Sequence, residues 1–320
     1  MGDQFLVAKP GAYSTIQDLG RYGYQDLGVP VSGALDQFAA RAANLLLGNA
    51  ESAAVLECAV LGPTLTVLQD ADLAVTGAEM EIRLNDTSLP VWSRFPVRAG
   101  DTLQFRQVTK GCRTYCAVPG GFAVPVIMNS RSTCVSGGFG GLQGRPLQKG
   151  DVLRAFEEPV PGLTAITLSP DLIPEYGSRT QLRVVPGPQD SLFGNAGLET
   201  LFQSAFTVSS KANRMGYRLE GPEIVRDPEA EQSIISEPSL PGNIQVPADG
   251  QPIILLVEQT VGGYTKIATV ISSDLPRVAQ ALPGHSIRFQ PVSVEQAHHA
   301  LQDQENRIQN IRNFLTDPDN

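Results

Sequence analysis

At 320 residues, with 42% hydrophobic and 18% charged residues, the chain is long enough for two cores and is not an intrinsically disordered polypeptide. Its formal charge of −9, with Arg and Lys scattered singly, argues against a nucleic-acid-binding surface. The 31 glycines and 24 prolines are spread throughout, so short elements joined by many turns, and hence a mostly β fold, are expected.

The first ten residues, MGDQFLVAKP, lack the basic region and apolar core of a signal peptide. No apolar run approaches the ~20 residues of a membrane span. A cytoplasmic protein is expected. Phe5 to Ala8 reads as a strand, turned by Lys9-Pro10-Gly11. From Thr15 to Gly33 the repeated glycines and Pro30 rule out a regular helix. In that stretch Gln17, Asp18 and Arg21 either contact a ligand or cap backbone groups. A helix follows, with Asp36 as N-cap, an apolar stripe of Phe38, Ala39, Ala42, Ala43, Leu45 and Leu46, and Gly48 at its end.

Between 54 and 156 the pattern is strand after strand: 55–57, 65–67, 73–75, 81–84, 102–106, 114–118 and 152–156. The separators, such as Arg98-Ala99-Gly100-Asp101 and Gln148-Lys149-Gly150-Asp151, are turn sequences whose spacing suits a barrel or sandwich. Cys58, Cys112, Cys116 and Cys134 form no C-x-x-C pair and the nearest histidine is His285, so reduced thiols are expected and no metal site. Gly137-Gly138-Phe139-Gly140-Gly141, with Arg131 and Arg145 beside it, has the composition of a backbone cradle for an anion, although no nucleotide motif is present.

The proline-bearing stretch 159–177 marks a boundary, giving domains 1–178 and 179–320. After it come a strand at 182–185, a helix over 197–206 and a strand at 206–209. Lys211, Arg214 and Arg218 place three cations within eight residues of an acidic chain. They either meet an anionic ligand or sit solvated on the surface. Two β-branched runs, Ile253 to Val257 and Ile267 to Ile271, read as buried strands. The loop between them carries Gly262-Gly263 among Glu258, Gln259, Thr260, Tyr264 and Lys266. It is either a ligand loop or a plain hairpin connection. A short helix at 274–282 opens near Pro276, and Ser293 with Gln296 forms a capping box for a last helix to about Asn313. His298 and His299 in that helix point to different sides and read as exposed rather than catalytic.

The stretches TIQDLGRYGYQDLGVPVSGALD (15–36), ANLLLGNAESAAVLE (43–57), SRSTCVSGGFGGLQGRPLQKGD (130–151), ANRMGYRL (212–219) and the run from Ser236 to Val270 resemble the biotin-dependent carboxyltransferase/KipA family. The resemblance runs in order over roughly residues 5–292. The chain reads Ser236-Glu237-Pro238 where the family has S-E-G, and Gly262-Gly263-Tyr264-Thr265-Lys266 where it has G-G-Y-P-K.

The resemblance implies two cyclophilin-like β-barrel domains with a few short helices. It further implies membership of an ATP-dependent 5-oxoprolinase, which opens 5-oxo-L-proline to L-glutamate. ATP with Mg would be used by the assembled complex, and the partners would be a KipI-like B subunit and a LamB/YcsF-like A subunit. Biotin is not expected, since nothing here resembles a biotin-carrier A-M-K-M segment. The alternatives are the carboxyltransferase of a urea carboxylase-type system, or a KipA-like regulator that binds a kinase inhibitor. For lactam opening, the implied catalytic groups are Lys266, Glu237 and Gln259. The implied substrate or nucleotide contacts are Gln189, Arg214, Arg218, Gln245, Thr260, Gly262, Gly263 and Tyr264. Lys266, after a double glycine and before a strand, either neutralises charge on a substrate oxygen or extends from the strand end into solvent.

Overall fold

A computed structural model describes residues 2–156, 164–227, 230 and 234–317. The chain divides into two compact units: residues 1–22, 32–176 and 305–320 form the first, and 23–31 with 177–304 the second. The main crossing at 176/177 lies beside the expected cut at 178/179, but two short segments group across it. Pro159 and Pro161 of the proposed boundary lie outside the described residues.

The first unit is built on a ten-stranded antiparallel sheet. Its strands are β1 (Gly2–Lys9), β2 (Tyr13–Gln17), β3 (Val55–Ala59), β4 (Thr64–Val67), β5 (Ala71–Leu84), β6 (Thr87–Leu89), β7 (Ser93–Val97), β8 (Thr102–Ala117), β9 (Val152–Ala155) and β10 (Ile166–Thr167). The main order is β10-β7-β5-β8-β4-β1-β9, with β3 and β2 branching from β8 and β6 from β5. The two strands expected at 73–75 and 81–84 are one, β5, and those at 102–106 and 114–118 are one, β8. The pair stays continuous because register shifts between Gly77 and Ile82 absorb the irregularity that Gly77 and Gly111 signal.

The helix α1 (Gln37–Leu46) lies on this sheet as its alanine stripe requires. The Asp36 carboxylate accepts from the Ala39 N–H at 2.9 Å, and Gly48 takes φ 71° at the far end. Phe38, Ala39, Ala42, Ala43 and Leu46 are buried with Trp92 and Tyr115.

The second unit is built from β11 (Arg179–Pro186), β12 (Phe206–Val208), β13 (Gly216–Glu220), β14 (Glu237–Pro238), β15 (Asn243–Val246), β16 (Ile253–Leu255), β17 (Val261–Gly262), β18 (Thr265–Val270) and β19 (Ser286–Pro291). Seven of these close into a barrel, β11-β18-β15-β16-β13-β12-β19. Only β11 with β19 is parallel among the described strand pairs. The short strands β14 and β17 pair only with each other, as a separate ribbon. The mostly β expectation is met, with four α-helices among the described residues: α1, α2 (Gly194–Gln203), α3 (Leu275–Ala279) and α4 (Val294–Thr316). Helix α2 begins three residues before its expected start, and it ends early because Ser204 is already extended and Phe206 enters β12. The Ser293–Gln296 box closes reciprocally, at 2.9 and 3.2 Å.

β16 and β18 do not form a hairpin. Each pairs with β15, so the loop 256–264 passes over one strand and carries β17 on its way. The plain hairpin connection is thereby ruled out, and the loop becomes a cover for the β15–β18 pair.

Candidate functional site

The site is built on β18. Its burial is nearly complete on both faces, so Lys266, on the face opposite Ile267, cannot reach water. Lys266 is 1% exposed. Of the two expected readings, extension from the strand end into solvent is corrected: Lys266 lies buried within the strand. Its register partner on β15 is Gln245, which places the two side chains together on one face. The turn after β11 docks on the same strand. The Gly187 N–H donates to Ile267 O at 3.0 Å and the Gln189 N–H to Lys266 O at 3.2 Å. A Cβ on Gly187 would lie 2.2 Å from Lys266 O, so only glycine permits this approach.

A buried ammonium must be paired. Lys266 Nζ donates to Glu237 Oε1 at 2.5 Å, and Gln189 Nε2 donates to the same oxygen at 2.8 Å. Gln189 Oε1 in turn accepts the Lys266 backbone N–H at 3.0 Å. Glu237 stands on the β14–β17 ribbon with its side chain 38% exposed. The hydrogen bond from Lys266, and then that from Gln189, hold its carboxyl below the usual carboxylate range, so it is an ionised partner rather than a proton donor. Gln245 is buried, and its Nε2 has no hydrogen-bond partner. Gly262 lies against it: a Cβ there would come within 2.4 Å of that nitrogen. The glycine pair was expected to let the backbone approach a ligand, but Gly262 makes room for Gln245.

The structure brings Lys266, Glu237, Gln189, Gln245 and Gly262 together. The remaining candidates are placed differently. Arg214 is buried and its Nε meets Glu258 Oε1 at 2.6 Å, both side chains being nearly inaccessible. Its charge is therefore already neutralised. Arg218 is exposed on β13, across the strand from the buried Tyr217 and Leu219, and Lys211 is exposed as well. The three cations are thus not one anion-binding patch. Gln259 Nε2 donates to Val261 O within its own loop at 2.5 Å, which makes it a loop brace. Thr260 O accepts from the Ser239 N–H and Gly263 O from the Ile234 N–H, both bracing the ribbon. Tyr264 is 47% exposed.

Two residues of this region were not among the site candidates read from sequence, Glu258 having been named only as one of the loop's polar groups. Glu258 is the acid that the buried Arg214 requires, a need legible only once Arg214 is known to be buried. Ser239 is buried on the ribbon with no partner for its Oγ, and nothing in a lone serine signals that.

In the first unit, Asp18 and Arg21 serve the backbone. Asp18 Oδ1 accepts from the Gly20 N–H and the Ser130 and Ser132 hydroxyls, and Oδ2 from the Arg131 N–H. Gln17 likewise bonds Thr133 O and the Gly33 N–H. Arg21 donates to Ile127 O and Ser132 O. The cations beside the glycine loop have protein partners, although Arg21 Nη1 and Arg131 Nε are buried without a hydrogen-bond acceptor. Arg145 forks onto Asp151 with two 2.8 Å bonds, and the Arg131 guanidinium sits 4.6 Å over the Phe156 ring. A largely apolar cleft of about 470 Å³ lies beside this loop, and another of about 620 Å³ beside Trp92 and Tyr176. Neither includes the Lys266 cluster. All four cysteines are buried and none is in a disulfide; burial pushes the Cys58 thiol up to about 12. Among the described residues no group of three His, Cys, Asp or Glu is arranged to hold a metal.

Residues 27–291 match the family described as carboxyltransferase domain, subdomain A and B. The 5-oxoprolinase C subunit of Escherichia coli is 39% identical over 306 residues, covering 95% of this chain and 96% of that protein. The corresponding C subunit of Haemophilus influenzae 5-oxoprolinase is 37% identical, covering 94% and 96%. The crystal structure of the Kluyveromyces lactis urea carboxylase superposes with a TM-score of 0.90 at 31% identity, covering 97% of this chain but 29% of that one.

Proposed function

We propose that this chain, which belongs to the carboxyltransferase domain family, is the C subunit of a 5-oxoprolinase, and that its contribution to catalysis centres on Lys266. The observation that carries the reading is identity over nearly the whole chain. It is 39% and 37% to the two 5-oxoprolinase C subunits, against 31% to the urea carboxylase.

A lactam is a poor electrophile, and transfer of a phosphoryl group to its oxygen would turn a resonance-stabilised amide into an activated imidate-like species. Such a step needs a cation close to the oxygen where charge develops, donors that fix the ring, and exclusion of water. Lys266 is a buried cation whose partner, Glu237, stands on the exposed side. Gln189 orients Glu237 and is itself fixed by the Lys266 backbone. Gln245 offers an amide nitrogen with no internal acceptor. This donor set suits an oxyanion or carboxylate held by a single ammonium. It does not make a triphosphate cradle, so we place ATP, with Mg, on the assembled complex. Biotin has no part in this reading. The partners we propose are a KipI-like B subunit and a LamB/YcsF-like A subunit, in the cytoplasm, a setting that suits four buried cysteines outside any disulfide. No described helix is long and apolar enough to cross a membrane.

Carboxyl transfer within a urea carboxylase-type assembly is the second reading, favoured by the family description and the TM-score. One experiment separates the two. The chain is co-expressed with candidate A and B subunits, and ATP-dependent glutamate release from 5-oxo-L-proline is measured for each combination. The proposal requires co-elution with the B subunit, turnover from the full set, and none from this chain alone. Robust turnover by the lone chain, or ATP- and biotin-dependent carboxylation of urea in place of glutamate release, would contradict it.

A further inference from the structure

The β14–β17 ribbon carries the residue that occupies the Lys266 site. It is separate from the barrel sheet and held together by two residue pairs, Glu237 with Gly262 and Pro238 with Val261, and by the flanking backbone bonds from Ser239 to Thr260 and from Ile234 to Gly263. Through Glu237, it is fastened to the barrel at a single carboxylate oxygen, which receives both Lys266 Nζ and Gln189 Nε2. Beside those two donors lies a third, Gln245 Nε2, 3% exposed as a residue and without a hydrogen-bond acceptor. A buried amide without an acceptor is costly, and a fold that keeps one beside a paired cation has an unfilled acceptor position there. Lys266 and Gln245 are register partners on adjacent strands, so the ammonium and the free amide are held by the rigid part of the barrel. Glu237, by contrast, belongs to the ribbon outside the barrel sheet.

We infer that Lys266, Gln189 and Gln245 form a binding site for the carboxylate of a small acid, and that Glu237 is its built-in occupant, displaced when the ribbon lifts and the ligand enters. Resting on the 5-oxoprolinase reading above, this assigns the ligand as a lactam acid whose carboxylate, rather than its ring amide, takes the place of Glu237. Lys266 then fixes the substrate, and the cation at the lactam oxygen is supplied elsewhere in the complex. The arrangement keeps the buried ammonium paired in both states, since one carboxylate replaces another. It also gives the free Gln245 amide an acceptor only in the ligand-bound state, which is where binding gains over the closed form. Gly262 belongs to the same device: any side chain there would press on Gln245 and spoil the third donor.

The test uses the full chain with Glu237 removed. Thermal unfolding of Glu237→Ala is followed against sodium acetate, 5-oxo-L-proline and 2-pyrrolidone, which lacks the carboxylate, with sodium chloride matching ionic strength. The inference predicts saturable stabilisation by acetate and by 5-oxo-L-proline, none by 2-pyrrolidone, and none in Glu237→Ala/Lys266→Met. Wild type should bind at least about tenfold more weakly, because Glu237 competes. If Glu237→Ala does not fold, Glu237→Gln is titrated by calorimetry with the same ligands and the same tenfold gain over wild type is expected. Absence of a saturable carboxylate effect, or an equal effect in the double variant, overturns the site. Stabilisation by acetate without 5-oxo-L-proline overturns the assigned ligand, while the 5-oxoprolinase reading is judged separately by glutamate release.

Discussion

At the scale of single residues, two buried cations of the second unit look alike in sequence and differ in what they leave behind. Removing Arg214 would strand Glu258, whose side chain is 6% exposed. An unpaired buried carboxylate costs roughly 3–5 kcal/mol, so Arg214→Leu should lower the unfolding temperature by about 10 °C. An unchanged melting temperature would show the pair to be idle. Removing Lys266 strands only Glu237, at 38% exposed, which water can solvate. Lys266 is therefore the cation whose loss reports on function more than on folding. Glu237 also sets a pH dependence. Its folded pKa lies below the ordinary 4.5, so the ion pair contributes fully above that value and is lost as pH falls through the lower folded one. The difference in denaturation midpoint between wild type and Glu237→Gln should be full at about pH 6 and shrink below about pH 4.5. A difference that stays constant well into the acid range would mean that the carboxylate is not held by Lys266.

At the scale of elements, capping and alternation were legible. Asp36, Gly48 and the Ser293–Gln296 box each bound their helices where short-range hydrogen bonding says they should. The family resemblance also named Lys266, Gln189, Gln245 and Glu237, which the structure brings together. Their arrangement was not legible. Whether a loop is a hairpin or crosses a strand depends on pairing between residues far apart, and so β15 between β16 and β18 left no local sign. The same limit split β5 and β8, since a glycine inside a long bulged strand reads like a turn. Gly77 is the clearest instance: it adopts φ 96°, and a Cβ there would lie 2.4 Å from Arg113 O. Gly77→Ala should destabilise the chain by more than about 1 kcal/mol in chemical denaturation. A neutral substitution would mean that the β5–β8 bulge relaxes to accept a side chain.

At the scale of the molecule, the two units differ in how their buried polar groups are arranged. In the first unit Asp18, Arg21, Arg131 and Arg145 hold backbone, aromatic or carboxylate partners, with Arg21 Nη1 and Arg131 Nε left without an acceptor. In the second, one ammonium and one amide are arranged around a carboxylate on a separable ribbon. The most direct measurement is glutamate release from 5-oxo-L-proline by the complete three-component complex carrying Lys266→Met, with assembly checked by size-exclusion chromatography. The account predicts an intact complex whose ATP-dependent turnover falls by about a hundredfold or more, as loss of the buried charge that holds the substrate in place requires. Wild-type turnover by a properly assembled Lys266→Met complex would contradict it.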